Sequence, residues 1–180
     1  MKKLITIICA LALCATTVVS ASAATVNATS EGGVDTNITF EYKYDPEYTV
    51  TIPSEVELTA QGTNVEIKAE NVAHLDNKKV SVTIAGTDAY RNQMVLSGKT
   101  EDGKQASLRY QFIMPDEKVI ETTGGKNQVN GVEVASFTED GTVSFAVKPV
   151  LTGSSSIKKG VTYTGTITYS VALADIASAE

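Results

Sequence analysis

The chain has 180 residues, a formal net charge of −6, two cysteines and no tryptophan. An acidic chain repels phosphate backbones, which argues against a nucleic-acid partner. Both cysteines, Cys9 and Cys14, lie in the first apolar run, so the rest of the chain is excluded from disulfides, thiolate metal sites and cysteine nucleophiles.

That first run reads as an export signal. Lys2 and Lys3 form a short basic start, Leu4 to Val19 is largely apolar, and Ser20-Ala21-Ser22-Ala23 supplies the small residues of a cleavage site. Cleavage before Ala24 is expected, and loss of Lys2 and Lys3 makes the remainder more acidic by two charges. The run is short and interrupted by threonines, which disfavours a membrane anchor. Leu11-Ala12-Leu13-Cys14 departs from a lipoprotein box, because Leu13 stands where a small residue belongs and Cys14 sits mid-run. No second apolar run of membrane length follows. The division expected is therefore a signal over 1–23, a flexible segment over 24–37, one β domain over 38–174 and a tail over 175–180. Asn27-Ala28-Thr29 and Asn37-Ile38-Thr39 match the glycosylation pattern, which in a threonine-rich chain with a bacterial-type leader is read as chance.

From Ile38 onward the chain alternates. Ile38, Phe40, Tyr42 and Tyr44 oppose Thr39, Glu41 and Lys43, a first strand ended by Asp45-Pro46. Tyr48, Val50 and Ile52 form the inward row of a second, stopped by Pro53. After a turn at Gln61-Gly62, Val65, Ile67 and Ala69 alternate with Glu66 and Lys68. Val80, Val82 and Ile84 follow, then a polar turn-like stretch from Gly86 to Gln93, a short strand over Met94 to Leu96 and a charged hairpin region over Ser97 to Lys104. Ala106, Leu108, Tyr110 and Phe112 make a long inward row, broken by Pro115-Asp116. Thr122 to Gln128 is the most flexible-looking stretch of the folded part. Asn130-Gly131 is a hairpin-turn pair. Val132 and Val134 alternate up to Phe137, where the phase slips as at a bulge. Asp140-Gly141 is a second turn, Val143, Phe145 and Val147 precede Pro149, and a Gly/Ser/Lys loop leads to the last strand.

That last strand, Val161 to Ala174, sets the frame. Val161, Tyr163, Gly165, Ile167, Tyr169, Val171 and Leu173 oppose Thr162, Thr164, Thr166, Thr168 and Ser170. Ile167, Tyr169 and Val171 are expected on the covered face, with Gly165 the one residue able to break the parity. A strand this long needs a sheet, and the sheet needs a cover. Eight or nine strands with one wet face each predict two packed antiparallel sheets of immunoglobulin-like type, with a small β-barrel as the alternative. Helix is expected at most as one turn near Ala172 to Ala179.

Candidate chemistry is sparse. His74 is the sole histidine, beside Asp76 in a polar connection, and is read as structural or exposed. Ser97, Ser107 and Ser144 lack a nucleophile elbow. The pairs Glu101-Asp102, Asp116-Glu117 and Glu139-Asp140 border turns, where carboxylates face water rather than a glycosidic bond. Asp76-Asn77, Asp88 and Asp140 are single oxygen donors without calcium-loop spacing. Lys43 and Lys68 lie opposite the apolar rows, which argues against a lysine–asparagine isopeptide bond. No catalytic, cofactor or metal residue is assigned and no cofactor is expected. Tyr90-Arg91-Asn92, a tyrosine in a loop beside a cation and an amide, is the candidate partner-contact patch.

Tyr48-Thr49-Val50-Thr51-Ile52-Pro53, Lys79-Val80-Ser81-Val82-Thr83-Ile84 and Tyr163-Thr164-Gly165-Thr166-Ile167-Thr168-Tyr169 together resemble the β-sandwich modules of Gram-positive surface and adhesin-like proteins. The layout is similar to the WxL cell-wall-binding type, but the Trp-x-Leu signatures are missing and so is the sorting pattern Leu-Pro-x-Thr-Gly. The resemblance implies a non-catalytic module, secreted or at the cell surface, recognising a protein or glycan partner. Two alternatives stand beside it. One is a carbohydrate-binding module. The other is a self-assembling fibre subunit that adds a strand through Thr25–Asn37 or the last strand.

Overall fold

Alternation of β-branched and aromatic residues with polar ones builds nine strands in this computed structural model, which describes residues 38–122, 128–151 and 157–176. The expected leader and its cleavage site, Cys14, the segment 24–37, residues 123–127 and 152–156 of the two loops, and the end of the tail lie outside the described residues.

The strands are β1 (Glu47–Thr51), β2 (Thr63–Ala73), β3 (Lys78–Thr87), β4 (Val95–Lys99), β5 (Gln105–Ile113), β6 (Val119–Ile120), β7 (Glu133–Phe137), β8 (Gly141–Pro149) and β9 (Ile167–Asp175). They form two antiparallel sheets. The larger runs β1-β2-β8-β5-β4, with β6 added on β5, and the smaller runs β7-β3-β9. The fold is the expected all-β pair of sheets rather than a closed barrel.

Period two decides which residues go inside. Val65, Ile67 and Ala69 of β2 are buried while Glu66 and Lys68 between them are exposed. Val80, Val82 and Ile84 of β3 are wholly shielded, as are Tyr110 and Phe112 of β5 and Phe145 of β8 to within a few per cent. These side chains make one apolar cluster, with the Phe112 and Phe145 rings 4.8 Å apart between centroids. Each such side chain contributes about 1.5–3 kcal/mol when taken fully from water.

The turns follow their residues. Asp76 and Asn77 both adopt left-handed backbone, at φ 47° and 64°, which short polar side chains tolerate best, and they carry the chain from β2 in one sheet to β3 in the other. The expected phase slip in β7 is real. Val134 and Ala135 are both buried, and the ladder passes from Val82↔Ala135 to Thr83↔Glu133, leaving Val134 as the extra residue of a bulge. Asn130-Gly131 does turn, with Val132 N–H donating to Val129 O at 3.1 Å, but it leads into β7 rather than closing a hairpin.

Three expectations are corrected. No strand forms over residues 38–45: the first ladder begins at Glu47, so that alternation alone, with no neighbouring edge, makes no strand here. Of the stretch Ala172 to Ala179, expected as at most one helical turn, residues 172–175 are strand and 177–179 lie outside the described residues; the one helical element among the described residues is a 3₁₀ turn at Tyr90–Asn92. The long last strand is interrupted. Thr164 bridges to Ser97 of β4, in the larger sheet, whereas Ile167 onward pairs with β3 in the smaller one. Gly165 is the corner. A Cβ there would lie 2.9 Å from Leu96 Cδ2, so a larger residue would have to displace the tip of the Leu96 side chain. Thr166 is then clamped to Asp88, its N–H donating to Asp88 Oδ1 at 2.9 Å while Asp88 N–H donates to Thr166 O at 3.1 Å.

Candidate functional site: an apolar groove beside an edge strand

The segment that changes sheets leaves a gap next to it. A groove of about 760 Å³ lies against the inner face of the larger sheet, with Val65, Leu108, Tyr110 and Val147 as its floor. Tyr163, Ile167 and Tyr169 form one wall, and the connection from Ile52 to Ala60 forms the rim, carrying Glu55 and Glu57 beside Val56 and Leu58. Ser54, Glu55, Glu57, Thr59, Thr164 and Thr166 line it beside the apolar residues, so it is an open cleft at the margin of the core, with an apolar floor and a polar rim.

β9 borders the groove as an edge. Among the described residues it pairs on one side with β3 and on the other with no strand. Its odd positions Ile167, Tyr169, Val171 and Leu173 are half-buried and its even positions Thr168, Ser170 and Ala172 exposed. The parity is the expected one, but the strand lies at the margin of the core instead of its centre. Natural sheets guard their edges with short strands, proline, charge or bulges. β1 is five residues long and Pro53 follows shortly after it, β7 carries the Val134 bulge, and β4 is partly covered by Thr164. β9 spans nine residues with no proline and no charge before Asp175.

Besides the acidic rim residues Glu55 and Glu57, two phenols, Tyr110 and Tyr169, line the groove, and they carry no charge. Burial pushes the Tyr169 hydroxyl up to about 12. Burial, reinforced by nearby Tyr169 and Asp88, pushes Tyr110 higher still. Both stay neutral hydroxyls at ordinary pH, able to donate or accept a hydrogen bond without the cost of a buried charge.

The candidate contact patch is only partly a surface. Tyr90 is 77% exposed, and the Arg91 guanidinium lies 5.1 Å from its ring centroid. Asn92 is turned inward: its Oδ1 accepts from Thr87 N–H at 3.2 Å and would meet a Cβ at Gly86 at 2.9 Å, so it braces the turn. His74 is exposed at a left-handed position, φ 56°. Asp140 Oδ1 accepts from Val72 N–H at 2.7 Å, and Asp88 holds Thr166, so both act as backbone clamps. Among the described residues no three metal-ligating side chains gather. Glu101, Asp102, Asp116, Glu117, Glu139 and Asp140 are all exposed.

The groove itself was not foreseen from sequence. Tyr163, Ile167 and Tyr169 read as core, and between the strand stop at Pro53 and the turn at Gln61-Gly62 no site was expected. The signal was the length of that connection, which far exceeds the two to five residues of an ordinary hairpin loop. No family model, curated protein or solved structure matches the chain.

Proposed function

We propose that this chain is an exported, non-catalytic structural or adhesive module of the cell surface, and that it holds its partner by strand addition. An extended segment would lie along β9, exchange backbone hydrogen bonds with it and set alternate side chains into the groove. The observation that carries this reading is the conjunction of a 760 Å³ groove with an apolar floor and a long edge strand, uncharged before Asp175 and paired on one side among the described residues, whose Ile167 and Tyr169 line it. Apolar walls and neutral phenols suit recognition of a β-strand, whose side chains alternate between groove and water. The glycan reading has less support, because Arg91 lies against Tyr90, whose ring would be the stacking platform.

The test is a panel of short labelled peptides in which apolar and polar residues alternate, beside peptides of the same composition with the apolar residues grouped. Alternating peptides are expected to bind at least about tenfold more tightly, and Ile167→Asp to lose that preference. Equal binding of both kinds, or none by either, removes the reading.

A further inference from the structure

We infer that the strand added to β9 belongs to another protein and is cationic, with lysine or arginine alternating with its apolar residues. The inference rests on the strand-addition reading and names the chemistry of the partner. The charged side chains that line the groove are Glu55 and Glu57, both on the rim and both exposed. Among the described residues neither carboxylate makes an ion pair. Their rim is held in place: Thr63 Oγ1 donates to Glu57 O at 2.7 Å, and Gly62 N–H donates to Thr59 O at 3.0 Å. A third carboxylate stands at the corner, where Asp88 Oδ1 is 3.5 Å from the place of a Cβ on Gly165, itself a lining residue. Its charge is felt on the floor, since after burial and Tyr169 it is Asp88 that keeps the Tyr110 phenol protonated. Among the described residues no lysine or arginine lines the groove; Lys148, Lys158 and Lys159 adjoin lining residues in the chain without lining it themselves. β9 sets no charge against a cation before Asp175.

An extended segment suits this arrangement. Of its two rows, one lies on the apolar floor and the other faces the mouth, where the exposed Glu55 and Glu57 stand. Lysine and arginine on the mouth row have the length and flexibility to reach them. The same charge argues against the chain's own leading segment, whether from the same molecule or a second copy. Residues 24–45 carry Glu31, Asp35, Glu41 and Asp45 against Lys43 alone, so carboxylates would meet carboxylates at the rim. The chain as a whole is acidic, at a formal net charge of −6, which draws a cationic partner and repels a copy. Exposed carboxylates set selectivity and encounter rate, while the backbone ladder and the apolar floor supply the bulk of the affinity.

The test titrates the chain with two labelled peptides that share one apolar row and differ in the other, lysine in one and glutamate in the other. The lysine peptide is expected to bind about tenfold or more tightly than the glutamate peptide at low salt. That preference is expected to shrink below about threefold at roughly 0.5 M salt, where exposed charges are screened. The double variant Glu55→Gln/Glu57→Gln is expected to shrink it likewise at low salt while keeping the parent's unfolding midpoint, because both side chains are exposed. Glu101→Gln/Glu139→Gln, which removes two exposed carboxylates that do not line the groove, is expected to keep the preference. Equal binding of the two peptides, or a preference that the two double variants reduce alike, overturns the inference and leaves strand addition standing. A peptide of residues 38–45 that outcompetes the lysine peptide overturns it as well, and gives the groove to the chain's own sequence. Binding by none of the peptides removes the strand-addition reading and this inference with it.

Discussion

Two isoleucines separate the core from the groove. Ile84 on β3 is fully shielded, whereas Ile167 on β9 is half-buried and lines the open groove. Truncating Ile84 to alanine removes buried carbon and leaves an enclosed cavity, so Ile84→Ala is expected to cost about 2–5 kcal/mol. Truncating Ile167 removes roughly three methylene equivalents, each worth about 0.8 kcal/mol when fully buried. With most of that side chain covered this is about 1.5–2 kcal/mol, and no closed cavity is added because the space beside it is already open. Urea denaturation of both variants and the parent, at the lowest workable protein concentration, measures the contrast as midpoint shifts at constant slope. A cost for Ile167→Ala equal to that for Ile84→Ala would refute the argument, because Ile167 would then have to be covered in the isolated chain.

Gly98→Ala should destabilise by about 1–3 kcal/mol, since its Cβ would sit 2.5 Å from Val161 Cγ1 and 2.7 Å from Thr162 O, while Gly141→Ala, whose nearest neighbour is 3.8 Å away, should stay within about 0.5 kcal/mol in the same assay. Burial raises the Glu133 carboxyl, but hydrogen bonds from Lys79 and Ser81 outweigh it and hold the pKa below its usual 4.5. The stability this adds is present above 4.5 and lost as pH falls through the folded value, so the acid limb of a stability–pH curve should be shallower in Glu133→Gln than in the wild type. Between pH 10 and about 12 the unfolded chain releases phenolic protons that folded Tyr169 keeps, so stability should fall with rising pH there, and Tyr169→Phe should flatten that fall and remove a late step from the phenolate absorbance titration.

Much of the strand list was legible because period two is a direct report of a half-buried sheet. Val80, Val82 and Ile84, or Ala106, Leu108, Tyr110 and Phe112, can share a face only in extended chain. The same period does not report the partner. Val161 to Leu173 keeps one parity throughout, yet it changes sheets at Gly165, because an extended backbone turned at a corner preserves its alternation while its ladder neighbour changes. Ile38 to Tyr44 alternates as well as any strand and has no ladder at all. Which strand lies at an edge is a property of pairing across long sequence separations, such as β2 with β8 or β3 with β9, and no local window contains it. The groove was illegible for that reason: it is the space between an edge strand and a distant sheet.

The distribution of burial also separates folding from the binding of a partner strand. The fully shielded side chains Ile67, Val80, Val82, Ile84, Met94 and Phe112 belong to one cluster shared by both sheets, and among these only Phe112 touches the groove. The sandwich therefore holds its core without an occupant, and the groove can be empty at modest cost. An extended partner strand filling it would cover the half-buried row of β9. That gain would rise with the partner's concentration by mass action, while the stability of the free sandwich does not. An Ile84 variant should thus weaken both folding and peptide binding, because a groove between two sheets exists only while the sheets are packed.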